Sequence, residues 1–148
     1  MVSGIQVQDC VKDAYMKLKM SAPGQKLSGV IYKISDDKSH VEVDQEVPQA
    51  EGTPQENFNS FKALLPDGAP RYAVFDVAGE DVSKGLQQKL LLIYWVPENS
   101  QIQSKMLYAS TKDAVKRSLV GLHREFQAVD RSELTYEEAC SRAGINLS

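Results

Sequence analysis

A mixed β-sheet covered by α-helices on both faces, an α/β (α+β mixed) fold in one domain, is what the sequence predicts. Three observations carry this expectation. The segment LLLIYWV at 90–96 is apolar at every position, as in a central strand covered by helices on either side. Segments with apolar residues at three- and four-residue steps lie before and after it. The elements alternate as helix, strands, helix, strands, long helix, strand, helix, which suits a layered sheet.

The elements follow in chain order. Val7, Cys10, Val11, Ala14 and Leu18 recur at helical spacing, so residues 6–20 read as a helix with one buried stripe, ended by Ala22-Pro23-Gly24. Residues 29–35 and 40–47 read as a strand pair joined by the polar turn Asp36-Asp37-Lys38-Ser39. In the second strand Val41 and Val43 face one way, and Glu42, Asp44 and Glu46 face water. A polar loop at 48–54 leads into a short helix carrying Phe58, Phe61, Leu64 and Leu65, stopped by Pro66-Asp67-Gly68. A third strand at 71–77 is followed by a Gly-, Asp- and Ser-rich loop reaching Lys84-Gly85, and then by the apolar strand closed by Pro97. A long helix spans 104 to about 122, a short strand 126–129, and a last helix 132–143. Thr135 and Glu138 have capping-box spacing in that last helix, and Gly144 is its stop signal.

A chain of 148 residues, 42% hydrophobic and 25% charged, matches one compact domain with a sizeable core. Its longest apolar run falls far short of the roughly 18 residues of a membrane helix. The opening MVSGIQVQDC lacks the basic stretch and apolar core of a secretory signal, so the cytosol is the expected compartment. Cys10 and Cys140 are far apart and without a neighbouring histidine pair, which argues against a disulfide framework or a zinc site. Both are expected as plain buried or half-buried thiols. No cofactor or metal is implied. An enzyme, such as a small hydrolase, is the alternative of a different class. Against it, the only histidines are His40 and His123, and neither a glycine-rich phosphate loop nor a nucleophile elbow is present.

The net charge of −3 is unevenly spread. Residues 36–67 hold eight acids against Lys38 and Lys62, whereas Lys105, Lys112, Lys116, Arg117 and Arg124 outweigh Asp113 and Glu125 within 101–126. At about 100° per residue, Leu107, Tyr108, Ala114, Val115, Leu119 and Leu122 form the sheet-facing stripe of the long helix. Met106, Ala109, Asp113, Lys116, Arg117 and Val120 lie opposite, with Lys105 and Lys112 at the border. An exposed methionine ringed by cations suits an anchor for an apolar groove with an acidic rim on another protein. Nucleic acid is disfavoured, since the chain is acidic overall.

The segment KMLYASTKDAVKRSL at 105–119 closely resembles the long-helix signature of the ADF/cofilin family of actin-binding proteins. SGIQV at 3–7, VIYKI at 30–34, RYAVFD at 71–76, KLLLIYWVP at 89–97 and FQAVDRSELTYEE at 126–138 extend the similarity over nearly the whole chain. The resemblance implies a single ADF-homology domain over residues 1–148. It has a five-stranded mixed sheet, two helices on each face and a flexible N-terminus at 1–5.

The resemblance also implies a cytoplasmic, cytoskeletal, non-enzymatic monomer that binds monomeric and filamentous actin, prefers ADP-actin, and promotes filament depolymerisation and severing. Carried over by motif, Lys105, Met106, Lys112, Asp113, Lys116 and Arg117 would make the contact shared by monomer and filament, with Ser3, Gly4 and Ile5 beside it. Ser3 would be the regulatory phosphorylation site, where a phosphate adds nearly two negative charges facing an acidic partner. Phosphoinositide headgroups would compete for Lys112, Lys116 and Arg117.

A second, filament-specific surface would consist of Lys84, Lys89, Glu138 and Arg142. The pattern departs from the family there: Gln87 stands where relatives often carry a base, and the ending AGINLS holds no further cation. Monomer binding is accordingly the firmer expectation. Within the same fold the alternatives are a mainly monomer-sequestering protein and a relative with another target, resembling glia maturation factor or coactosin.

Overall fold

The computed structural model describes residues 4–20, 26–122 and 124–147. The elements are β1 (Gln6–Val7), α1 (Asp9–Lys19), β2 (Leu27–Ile34), β3 (His40–Pro48), α2 (Pro54–Lys62), β4 (Arg71–Asp81), β5 (Gly85–Trp95), α3 (Ile102–Ser118), β6 (Glu125–Ala128), a 3₁₀ turn (Arg131–Glu133) and α4 (Tyr136–Ala143). The strands form one sheet in the order β1-β3-β2-β4-β5-β6. Its three central pairings are antiparallel, and β1 on β3 and β6 on β5 are parallel.

Side-chain alternation splits the core in two. Val30, Tyr32, Tyr72, Val74, Leu92 and Tyr94 pack with Val11, Ala14, Tyr15 and Leu18 of α1 and with Tyr108 and Val115 of α3. Their neighbours Ile31, Ala73, Phe75, Leu91, Ile93 and Trp95 pack with Phe58 and Phe61 of α2 and with Ala139, Cys140 and Ala143 of α4. Each fully buried large apolar side chain contributes about 1.5–3 kcal/mol, so β5 is stabilised from both faces, as its uninterrupted apolar run predicts. Parallel β5 and β6 cannot be joined by a tight turn. The connection is α3, which crosses one face of the sheet and leaves its far side outward.

Four differences from the sequence reading have local causes. The first helix begins at Asp9, because Gln6 and Val7 instead pair with His40 and Val41 as a sixth, edge strand. Cys10 is then exposed rather than part of the buried stripe. The predicted loop after residue 77 is strand: β4 and β5 stay paired out to Asp81 and Gly85, making a long projecting hairpin. The last helix is split into a 3₁₀ turn closed by an Asp130–Glu133 capping box and α4 itself, which ends on left-handed Gly144 (φ 86°). Of the expected Thr135–Glu138 box only half forms. The Thr135 hydroxyl accepts from Glu138 N–H at 3.1 Å, but the Glu138 carboxylate turns to Arg142.

Asp81 closes the hairpin and ties it to the C-terminal segment. Its Oδ1 accepts from the amides of Ser83 (2.9 Å) and Lys84 (3.1 Å), and its Oδ2 from the amide of Asn146 (2.9 Å). These donors, the Asn146 amide foremost, favour the charged form and hold the carboxyl at about 2, below its ordinary value. A lowered native pKa adds stability that is fully present above the ordinary value near 4 and is lost as pH falls toward 2. Relative to wild type, Asp81→Asn is therefore expected to lose stability at neutral pH and to show a flatter decline between about pH 4 and 2, read from urea midpoints across that range.

Candidate functional site

The site is built around α3. Its inner side is held by a tyrosine relay: the Tyr108 hydroxyl accepts from the Ile34 amide at 2.9 Å, and the Tyr72 hydroxyl donates to the Tyr108 carbonyl. The Tyr72 and Tyr108 rings lie 5.1 Å apart, and Tyr15 donates to the Val120 carbonyl at 3.0 Å beyond the helix end. These bonds fix the rotation of α3, so its outer residues are determined.

Met106 is 66% exposed, as the helical arrangement predicts, and Ala109, Asp113, Lys116, Arg117 and Val120 are exposed with it. Ile102, which the sequence reading placed outside the helix, is 74% exposed in the first turn. It stands one turn before Met106 and extends the exposed apolar surface of the stripe. The signal was available, since Ile102 and Met106 are four residues apart and share a helix face. Gln101, which precedes the helix, offers no side-chain cap to mark its true start.

The cations are not equally available. Lys105 donates to the Glu98 carbonyl at 2.6 Å. Lys112 Nζ lies 3.0 Å from Glu125 Oε1 and 5.2 Å from the centre of the Tyr94 ring, and its side chain is only 24% exposed. Lys116 Nζ is 3.6 Å from Glu125 Oε2 and 41% exposed. Arg117 is exposed and makes no ion pair among the described residues. Among these cations the unpaired charge is thus that of Arg117, at the C-terminal end of α3, where it and Lys116 also complement the helix dipole.

At the N-terminus, Ser3 lies outside the described residues. Gly4 is exposed, whereas Ile5, expected as part of a flexible contact segment, is 8% exposed in the core shared by α1 and α3. The side chain of Ile5 is packed in the core, and β1, which follows it, lies against α3.

The second set of residues sits on the other side of the sheet. Lys84 is exposed at the hairpin tip. Lys89, paired with Val77, is in step with buried Leu91 and Ile93 and so projects on the α4 side. On α4 itself, Glu138 and Arg142 pair at 2.7 Å, and the Arg142 guanidinium lies 5.2 Å from the centre of the Phe126 ring. Val82 and Leu86, both exposed, flank the hairpin tip and were missed because that stretch reads as a polar loop.

Reaction chemistry finds little support. His40 contacts Ser39 Oγ at 2.8 Å and Glu42 at 3.0 Å, an arrangement with the residue types of a hydrolase triad. Asp37, 2.7 Å from the same Ser39 hydroxyl, competes for its single proton, and the cluster sits at an exposed turn. Cys140 is buried, and burial pushes its thiol up, away from nucleophilic readiness. Among the described residues no group of three or more His, Cys, Asp or Glu is placed to hold a metal ion.

Comparison with known proteins agrees with this arrangement. Residues 4–143 match the family model described as cofilin/tropomyosin-type actin-binding protein. The chain is 38% identical over 141 residues to a cofilin of Yarrowia lipolytica, covering 95% of this chain and 86% of the relative. It is 36% identical over 143 residues to an actophorin of Entamoeba histolytica, covering 95% and 96%. The crystal structure of a Streptomyces griseoflavus cofilin superposes with a TM-score of 0.81 at 29% identity, covering 95% of this chain and 97% of that one. The family is one of actin-binding proteins rather than enzymes. An α3 crossover pinned by Tyr108 inside a KMLYASTKDA segment, in a six-stranded mixed sheet with two helices on each face, therefore has its explanation in descent: the chain belongs to the ADF/cofilin family.

Proposed function

We propose that this protein binds monomeric and filamentous actin through the outward face of α3, favours ADP-bound subunits, and promotes filament depolymerisation and severing. The observation that carries the proposal is the exposed pair Ile102 and Met106 at the start of a rotationally fixed helix whose last turn carries Lys116 and Arg117. An apolar anchor inserts into a hollow, and cations meet an acidic rim. Lys105, Lys112 and Asp113 border this contact, and Gly4 lies at the chain end beside it. Phosphorylation at Ser3 adds negative charge there and opposes docking. Anionic lipid headgroups compete for Lys116 and Arg117 more than for Lys112, which is already engaged.

Lys84, Lys89, Glu138 and Arg142 lie across the sheet from α3, so one monomeric domain can touch two subunits of a filament at once. Tighter binding to one filament twist than to another shifts the filament toward that twist, and no bound nucleotide or metal in this chain is needed. The place of action is then the cytoplasmic actin cytoskeleton.

The test combines sedimentation with filamentous actin, nucleotide exchange on actin monomers and imaging of single filaments. Expected are co-pelleting, slowed exchange that is stronger on ADP-actin, and more filament breaks. Slowed exchange without breaks identifies monomer sequestration instead, and no effect in any of the three removes actin as the partner.

A further inference from the structure

Glu125, the first residue of β6, sits beneath the edge of α3, and both of its carboxylate oxygens face lysines of that helix. Lys112 Nζ lies 3.0 Å from Oε1 and Lys116 Nζ 3.6 Å from Oε2, one helical turn apart. The carboxylate is three-quarters covered, and its Oε1 is buried without a hydrogen bond among the described residues. The contacts to the two lysines are therefore ion pairs that leave acceptor capacity unused. Lys112 is further restrained by the face of the Tyr94 ring. Lys116, at the longer distance and with the more exposed side chain, is held less firmly.

We propose that Glu125 is an internal competitor for the cations of the α3 face, keeping Lys112 as a strut between α3 and β6 and holding Lys116 back until a carboxylate of the partner replaces it. The inference rests on the actin reading above and deepens it by naming the residue that sets the strength of the contact. One negative charge beside the face lowers the positive potential that draws in an acidic rim. Exchange of this carboxylate for the partner's is easier at Lys116 than at Lys112, because its contact is longer, at 3.6 Å, its side chain is 41% exposed, and ion pairs weaken with exposure. Lys116 can therefore turn outward without disturbing the core, whereas Lys112, covered on two sides, stays.

Glu125→Gln keeps the side-chain shape and removes the charge. Without any partner, acylation of lysine amines by an N-hydroxysuccinimide ester, read by peptide mass spectrometry, is expected to be faster at Lys116 in the variant and unchanged at Lys17, Lys38 and Lys84. Affinity for ADP-actin monomers is expected to rise about 3- to 10-fold at low salt. That gain shrinks near 0.15 M salt. In a Lys116→Ala background Glu125→Gln is expected to bring no gain, which a merely structural ion pair has no reason to show. A thermal melt of each variant separates loss of fold from loss of contact, and Glu125→Asp, which shortens the reach to both lysines, supplies a second variant with an intermediate effect. Unchanged acylation at Lys116, unchanged or weaker actin affinity, or a gain that persists without Lys116 overturns the proposal. Faster acylation with no actin binding by the wild type keeps the Glu125 pairing and removes the actin reading instead.

Discussion

Replacing Met106 with aspartate is expected to weaken binding to monomeric actin by about 100-fold, some 2.7 kcal/mol, the size of an interface hot-spot loss. Met106 is two-thirds exposed and outside both core clusters, so the chain should fold normally. Its position lies at the start of the second turn of α3, where aspartate costs well under 1 kcal/mol in propensity. The loss arises in the complex. A carboxylate enters an apolar hollow without a hydrogen-bond partner and faces an acidic rim at the same time. Met20→Asp is the matched control, since Met20 is equally exposed but ends α1, off the proposed contact. Fluorescence titration of labelled actin monomers reads both; equal losses in the two variants would assign the effect to net charge rather than to the α3 stripe.

Gly29→Ala is expected to cost about 3 kcal/mol, the upper end of overpacking penalties, and to lower the thermal midpoint by roughly 10 °C. A Cβ at this position in β2 would stand 2.5 Å from Phe61 Cε1 and 2.5 Å from the Val74 carbonyl oxygen. The ring of Phe61 lies over the bare backbone here, which is how α2 approaches the sheet. The ring can shift; the carbonyl belongs to the adjacent strand and cannot. Pairing the change with Phe61→Leu should therefore restore only part of the loss, and differential scanning calorimetry of the three variants checks it. Full recovery in the double variant would mean that the ring alone sets the limit.

How much of this was legible in the sequence depended on whether the deciding interaction was local. The β5 run is apolar at every position, and Leu91 to Trp95 prove buried between helices, with Leu90 half-buried at its start. The outward residues of α3 follow from helical spacing alone, and Met106 stands where that spacing puts it. Gln6 and Val7 take their strand geometry from β3, thirty-four residues away, so Val7 fitted the helical period of α1 only by coincidence. Gly79, Asp81 and Ser83 are loop-forming residues by type, and the hairpin exists because β4 and β5 pair and Asn146 caps Asp81. The engagement of Lys112 and Lys116 was beyond reach for the same reason. A helical wheel shows which way a lysine points but not that a glutamate on another element waits beneath it. Motif transfer, likewise, treats Lys112 and Arg117 as equivalent contacts, although only Arg117 stands unpaired among the described residues.

The central claim is that Ile102 and Met106 enter the partner while the rest of the apolar surface does not. The chain holds four methionines, so a protein labelled with ¹³C at the methionine methyls gives a spectrum simple enough to assign. On addition of ADP-actin monomers the Met106 methyl signal should shift or broaden at stoichiometric ratios, with those of Met16 and Met20 unmoved. A Met106 signal that stays in place while Met16 or Met20 responds would contradict the account and move the contact from α3 to α1.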